Sequence, residues 1–207
     1  ARSPLFMYLA LPSPHTPWLP SEEYLGKSSV GMYGDFVMQV DGVVGQVTAA
    51  LKETGLGEDT LLIFSSDNGP VWYAENVERF GHDATGIMRG MKGDGWEGGH
   101  RVPFIVRWPG RVKAGVVSDR LVCFTDVMAT FAAVAGAKLS KDAGPDSISF
   151  YDALVGSEEA GEGRRQLVHD RQVIRGGKWK LLRYLGSGGF TPPRKEEPEK
   201  GSVVVGQ

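Results

Sequence analysis

The fold is decided by residues 32–70, which read MYGDFVMQVDGVVGQVTAALKETGLGEDTLLIFSSDNGP. Apolar residues recur at helical spacing up to residue 51, and glycines at 55 and 57 follow as a stop signal, so we predict an amphipathic helix. The run TLLIFSS at 60–66 then predicts a strand. Residues 4–11 predict an earlier buried strand, and this β-α-β order favours a parallel sheet with a crossover helix.

Asp67 and Asn68, directly after the second predicted strand, allow two interpretations. Asn-Gly is a strong turn dipeptide because both residues tolerate positive φ, so a plain turn explains the pattern. Alternatively, a carboxylate and an amide oxygen stand at the carboxyl end of a strand, where open α/β sheets bind their ligands. Taken alone, the motif favours the turn.

The composition excludes several classes of function. The 207 residues carry 23 basic and 25 acidic side chains, so a net charge of −2 gives no general affinity for nucleic acid. No segment has the roughly 20 consecutive apolar residues of a membrane helix, and the short, proline-interrupted start does not read as a signal peptide. The lone Cys123 cannot form an internal disulfide, and no CxxC, P-loop, dinucleotide or HExxH motif occurs.

The rest of the chain changes character after residue 136. Before it, residues 103–108 (PFIVRW) predict a short strand, and residues 123–136 predict a helix with Thr125 as N-cap. After it, the sequence is polar and turn-rich, and residues 166–185 alternate as in an antiparallel hairpin. We therefore expect an α/β domain over residues 1–136 and the start of a smaller β-rich subdomain over 137–207, with a charged, mobile tail from about 191.

Four places could carry chemistry: His15, the Asp67-Asn68 pair, Lys92 and Arg101. Each has an ordinary explanation by itself, as a turn, a loop histidine or a solvated lysine. Together they suit a tetrahedral anion, because the two oxygen ligands fit Ca²⁺ or Mg²⁺ and the lysine can pair with an anionic oxygen. The histidine could bind an ester oxygen or protonate a leaving alkoxide.

Several segments, in this order, resemble the carboxyl-terminal half of a formylglycine-dependent sulfatase of the arylsulfatase and galactosamine-6-sulfatase-like type. They are HTPW at 15–18, residues 32–70, RGMKGDGWEGGHRVPFIVRWPGRVKAG at 89–115 and VIRGGKWKLLR at 173–183. The resemblance implies an alkaline-phosphatase-like α/β fold, partial in this chain, with a mostly parallel sheet flanked by helices. It also implies hydrolysis of sulfate esters.

The same resemblance implies roles for individual residues. Asp67 and Asn68 match calcium ligands, with Mg²⁺ as the alternative ion, and His15 and Lys92 match catalytic residues that hold the sulfate and assist departure of the alcohol. A substrate-binding role is expected of His82, while His100 is expected to be structural. The scaffold of the lysine loop would be formed by Glu97, Gly98, Gly99 and Arg101.

The nucleophile motif of that family, Cys/Ser-x-Pro-x-Arg, is absent from these 207 residues. One interpretation is that the chain works with an amino-terminal half, in cis or in trans, on a sulfated small molecule or glycan. The other is an inactive remnant or an anion- or cation-binding module. In either case exposed apolar surface should favour self-association. A metal-dependent phosphatase or phosphodiesterase is a further alternative, which Asn68 disfavours because such relatives carry histidine there. Relatives of this type are exported or lysosomal.

Overall fold

Helices and two small antiparallel sheets make up the part of the chain that the computed structural model describes, which comprises residues 3–157, 161–170, 172–184, 186–192 and 203–206. The chain divides into two compact units. The first is Ala1–Gly57 with Tyr73–Asp83, and the second is Glu58–Trp72 with Ala84–Gln207. Among the described residues, no helix is both long and apolar enough to cross a bilayer.

The first unit is built around helix α1, Gly31–Glu53, preceded by a 3₁₀ turn at Glu22–Tyr24 and accompanied by helix α2, Ala74–Phe80. The buried Asp35 carboxylate fixes the approach to α1 by accepting the N–H groups of Gly26 at 2.8 Å and Ser28 at 2.7 Å. Gly55 has φ +70°, a left-handed conformation that suits glycine after a helix. The predicted helix and its stop are confirmed.

The predicted first strand is not formed as a buried strand. Residues 3–10 have no regular structure, and all five large apolar side chains from residue 5 to 9 are exposed, Leu9 least at 55% and Tyr8 most at 84%. A strand becomes regular when a neighbouring strand takes its backbone hydrogen bonds, and residues 3–10 belong to neither of the two sheets that the described residues form. The apolar pattern was identified correctly, but the prediction of burial was wrong for this chain.

The second unit contains strands β1, Leu62–Ser65, and β2, Phe104–Arg107, which pair with each other in antiparallel register from Leu62↔Arg107 to Ser65↔Phe104. Both strands were predicted, but the β-α-β order had suggested parallel pairing with residues 4–11. Among the described residues, every strand pair is antiparallel. The short helix α3, Glu97–His100, precedes β2.

Helix α4, Asp126–Val134, follows β2 and confirms the second predicted helix. Thr125 occupies the N-cap position, but its side chain makes no capping hydrogen bond. Asp126 organises this end of the helix, because its carboxylate accepts the Cys123 N–H at 3.0 Å and binds the Arg164 guanidinium at 2.5 Å. Helix α5 spans Tyr151–Val155.

The chain ends in a four-stranded antiparallel sheet in sequential order: β3, Gln166–Asp170; β4, Val173–Gly176; β5, Trp179–Leu182; and β6, Val203–Gly206. The predicted hairpin is confirmed, with Gly177 at φ +54° in the β4–β5 turn. The prediction of a mobile tail is wrong at Val203–Gly206, which form β6 and pair with β5. The run of valines favours a strand because β-branched residues have a high strand propensity. The rest of the predicted tail beyond residue 192 lies outside the described residues.

Candidate active site

The turn after β1 presents Asp67 and Asn68. Two hydrogen bonds hold Asn68 in place. The Asn68 backbone carbonyl accepts a bond from the Ser66 hydroxyl at 3.0 Å, and the Asn68 side-chain nitrogen donates to the Gly69 carbonyl at 3.1 Å. The Asn68 amide oxygen takes no part in that bond. The Asp67 carboxylate is exposed and has no hydrogen bond or ion pair with any residue that the structure describes. The turn thus presents two oxygen donors.

Lys92 is attached to the same turn through its backbone. Its N–H donates to the Pro70 carbonyl at 2.8 Å, so the lysine and the Asp67-Asn68 turn form one connected piece of the second unit. The side chain is half-buried, and within the described part of the chain its ammonium has no hydrogen bond or ion pair. The Lys92 loop, residues 90–95, bends at Gly90, φ +88°, and Gly93, φ +83°. The backbone of the Lys92 loop is therefore joined to the turn that carries Asp67 and Asn68.

Three glycines let the backbone pack closely around this turn. A Cβ atom on Gly69 would overlap the Gly98 carbonyl, and one on Gly98 would overlap the Gly90 carbonyl. A Cβ atom on Gly99 would overlap the carbonyl oxygens of the Lys92 loop. The Gly69 N–H also donates to the Gly99 carbonyl at 3.1 Å. Helix α3 is thus joined by backbone contacts to both the turn and the loop.

Glu97 connects helix α3 to the terminal sheet. One carboxylate oxygen lies 2.6 Å from the Arg175 guanidinium on β4, and the other lies 2.9 Å from the Lys180 ammonium on β5. Burial alone would raise the pKa of Glu97, but hydrogen bonds and charge from Lys180 and Arg175 outweigh it and lower the pKa. Neither partner could be identified from the sequence, because they lie 78 and 83 residues further along the chain.

Arg101 and His100 lie at the end of α3 and face different surroundings. Arg101 is exposed, and its N–H donates to the Glu97 carbonyl at 2.8 Å. The His100 ring lies against His169 of β3, with ring centroids 4.3 Å apart. Burial, followed by the charges of Lys180 and His100, lowers the pKa of His169 to about 4. His169 was not a predicted site residue, and its sequence context gave no signal.

His15 and His82 belong to the first unit, whereas Asp67, Asn68 and Lys92 belong to the second. The His15 ring is exposed, with its Nδ1 2.7 Å from the Thr16 carbonyl oxygen, and its loop contains cis peptide bonds before Pro14 and Pro17. His82 is exposed and comes directly after Gly81, the residue that ends α2. A single site that includes these histidines remains a prediction.

The Sulfatase family model matches residues 1–137, which is more than half of the chain. This chain belongs to the sulfatase family. The match includes the His15 loop, helix α1, the Asp67-Asn68 turn and the Lys92 loop, so the resemblance inferred from the sequence is confirmed at the level of the family.

This sulfatase chain is similar to curated enzymes along most of its length. It is 36% identical over 186 residues to an N-acetylgalactosamine-6-O-sulfatase of Bacteroides thetaiotaomicron, an alignment that covers 86% of this chain and 36% of the relative. It is 38% identical over 152 residues to an arylsulfatase of Hemicentrotus pulcherrimus, covering 73% of this chain and 27% of that enzyme. The chain thus spans about a third of the length of these relatives.

A solved structure from a study of the metabolism of multiple glycosaminoglycans by Bacteroides thetaiotaomicron has the same fold. It superposes with a TM-score of 0.78 at 32% identity, covering 94% of this chain and 42% of that one. The predicted fold class, a partial sulfatase fold of the alkaline-phosphatase-like type, is confirmed. Our sulfatase chain therefore keeps a family backbone over nearly all of its length.

The side-chain oxygens of the Asp67-Asn68 turn fit part of a binding site for a hard cation. Carboxylate and amide oxygens are the ligands that Ca²⁺ and Mg²⁺ prefer, and Ca²⁺ takes six to eight of them. Asp67 and Asn68 supply two such side chains, and no group of three or more His, Cys, Asp or Glu residues suited to a metal occurs within the described ranges. A cation here would need further ligands from outside those residues.

Proposed function

We propose that this chain supplies the carboxyl-terminal part of the active site of an enzyme that hydrolyses sulfate esters. The observation that carries the proposal is the 2.8 Å bond from the Lys92 N–H to the Pro70 carbonyl, which joins the backbone of the Lys92 loop to the Asp67-Asn68 turn. A lysine ammonium and hard oxygen ligands on two connected loops would suit a sulfate ester, whose oxygens are negatively charged.

The proposed roles follow from the chemistry of each side chain. Asp67 and Asn68 would hold part of the shell of a Ca²⁺ ion, or Mg²⁺ as the alternative. When bound, that ion would act as a Lewis acid and a template for the sulfate. Lys92 would pair with a sulfate oxygen as a point charge. His15 would bind the ester oxygen or give a proton to the departing alkoxide.

Other residues would act on the substrate or on the site loop. His82 is exposed, and we propose that it contacts the substrate, as the resemblance implies. Helix α3 and the residue after it would form the scaffold of the Lys92 loop, an interpretation supported by the backbone contacts of Gly98 and Gly99 and by the ion pairs of Glu97. Arg101 is the least supported member, because its side chain is exposed.

The remaining part of the site would come from an amino-terminal half, in cis or in trans. We propose that this half carries the formylglycine nucleophile, because the Cys/Ser-x-Pro-x-Arg motif is not among these 207 residues. The substrate would be a sulfated glycan or a sulfated small molecule, and the enzyme exported or lysosomal, as the resemblance implies. We also propose that the catalytic domain ends near residue 136 and that a smaller β-rich subdomain begins there.

The test is sulfate release by this chain combined with its amino-terminal half, on 6-O-sulfated N-acetylgalactosamine and on p-nitrophenyl sulfate. The substitution Lys92→Ala should lower kcat/KM by about a hundredfold or more, as removal of a transition-state charge partner does. The matched control is Lys113→Ala, which removes an exposed lysine of the same unit and should leave kcat/KM unchanged.

Two results would reject the proposal. One is a complete enzyme that hydrolyses neither sulfate ester, which would favour the remnant or binding-module alternative. The other is Mn²⁺-dependent turnover of p-nitrophenyl phosphate exceeding that of the sulfate, which would favour a phosphatase.

A further inference from the structure

We propose that Asp94 and Thr191 are positioning residues that hold the Lys92 loop in its place. The role assigned to Lys92 rests on the proposed function, but the order of the Lys92 loop can be measured without any enzymatic activity. Asp94 has no accessible surface, and Thr191 reaches it from a segment 97 residues further along the chain. Neither residue was identified as a site residue from the sequence.

Asp94 binds both the loop and the distant segment. One of its carboxylate oxygens accepts the Met91 N–H at 2.8 Å, which closes the loop across Lys92. That oxygen also accepts the Thr191 hydroxyl at 2.5 Å, and the other accepts the Thr191 N–H at 3.1 Å. Because three donors bind this buried carboxylate, the Asp94 side chain has little conformational freedom.

Residues 186–192, here called the clasp, also contact the loop through the backbone. The Gly95 N–H donates to the Ser187 carbonyl at 2.6 Å, and a Cβ atom on Gly189 would overlap the Gly93 carbonyl. The clasp is itself ordered by Ser187, whose hydroxyl donates to the Thr191 carbonyl at 2.7 Å and accepts the Gly189 N–H at 3.0 Å. The clasp therefore contacts the Lys92 loop at the residues before and after Asp94.

The loop needs such an anchor because of its composition. Glycines occupy positions 90, 93 and 95, so the backbone next to Lys92 has many accessible conformations and few side chains to restrict them. Asp94 is the carboxylate within this segment, and its bond to the Met91 N–H fixes the residue that precedes the lysine. Loss of the Thr191 hydroxyl would leave the buried carboxylate short of one donor.

The first experiment measures amide hydrogen exchange of the 207-residue chain. Thr191→Val removes the hydroxyl, Thr191→Ser keeps it, and Thr48→Val is the control because the Thr48 hydroxyl donates to the Gly45 carbonyl of its own helix. Thr191→Val should speed exchange in residues 91–95 by about tenfold or more, whereas the serine variant and the control should stay within about twofold. Unchanged exchange in Thr191→Val would overturn the proposal.

The second experiment separates positioning of the lysine from general stabilisation. In the enzyme completed by its amino-terminal half, Thr191→Val should lower kcat/KM about tenfold when Lys92 is present and less than about twofold in the Lys92→Ala background. An equal loss in both backgrounds would refute a role that acts through Lys92. If the unmodified enzyme releases no sulfate, the proposed function fails, while the exchange measurement still decides whether the clasp exists.

Discussion

Replacement of Glu97 by glutamine should strongly destabilise the second unit. The Lys180 side chain is 3% exposed and the Arg175 side chain 16%, and both cations bind the Glu97 carboxylate. Breaking a buried ion pair by removing one partner costs about 3–5 kcal/mol, because the buried charge that remains loses the carboxylate that balances it. Since Glu97 is itself 20% exposed, water will screen part of this effect, and we expect the lower end, about 3 kcal/mol.

This loss should be visible as a shift in thermal unfolding. For a chain of 150–250 residues, 1 kcal/mol corresponds to about 2–4 °C in Tm, so Glu97→Gln should lower Tm by about 6–12 °C in a circular dichroism melt. The matched control is Glu162→Gln, which breaks the exposed Glu162–Arg165 ion pair and should move Tm by less than about 4 °C. The double variant Glu97→Gln with Lys180→Met should recover part of the loss. Equal shifts for Glu97→Gln and the control would refute the reasoning.

Three further outcomes are expected. The free energy of unfolding in urea should fall as the pH is lowered from about 6.5 towards 4, because folded His169 has a pKa of about 4 whereas the unfolded residue binds its proton near 6.5. His169→Gln should flatten this pH dependence, and an unchanged pH dependence in that variant would contradict the prediction. The chain alone should associate through exposed residues 5–9, so size-exclusion chromatography should show species larger than 22.4 kDa that Phe6→Glu with Tyr8→Glu reduces, whereas a sharp monomeric peak for the original chain would count against this. In the completed enzyme, Ca²⁺ should raise Tm. Asp67→Ala should abolish most of that rise, whereas the control Asp59→Ala should preserve it, and a rise of equal size in both variants would exclude Asp67 as a ligand.

The local parts of the fold could be predicted from the sequence. Helix α1 and its glycine stop, strand β1 and the β4–β5 turn each depend on residues close together in the chain, so periodicity and turn chemistry identify them. Strand β6 was missed because four residues beside a charged, proline-bearing stretch carry a weak signal, and their pairing partner β5 is distant in sequence. The burial of residues 4–11 could not be judged, since burial requires a neighbour that local pattern does not reveal.

The candidate site divides in the same way. Asp67, Asn68 and Lys92 stand in short motifs, and the structure joins them through the Pro70 carbonyl. The network that supports them depends on contacts over long sequence separations: Glu97 with Arg175 and Lys180, and the bonds from Asp94 to Thr191. An aspartate between two glycines looks like an ordinary turn residue until its distant donors are known.

The most direct test of the account is the intact mass of the native protein, together with the sequence of any chain that co-purifies with it. Our account predicts that residues 1–207 are joined to, or accompanied by, a segment with Cys/Ser-x-Pro-x-Arg whose cysteine or serine has become formylglycine. A native protein of 22.4 kDa with no co-purifying chain would contradict the account, because residues 1–207 contain no such nucleophile motif.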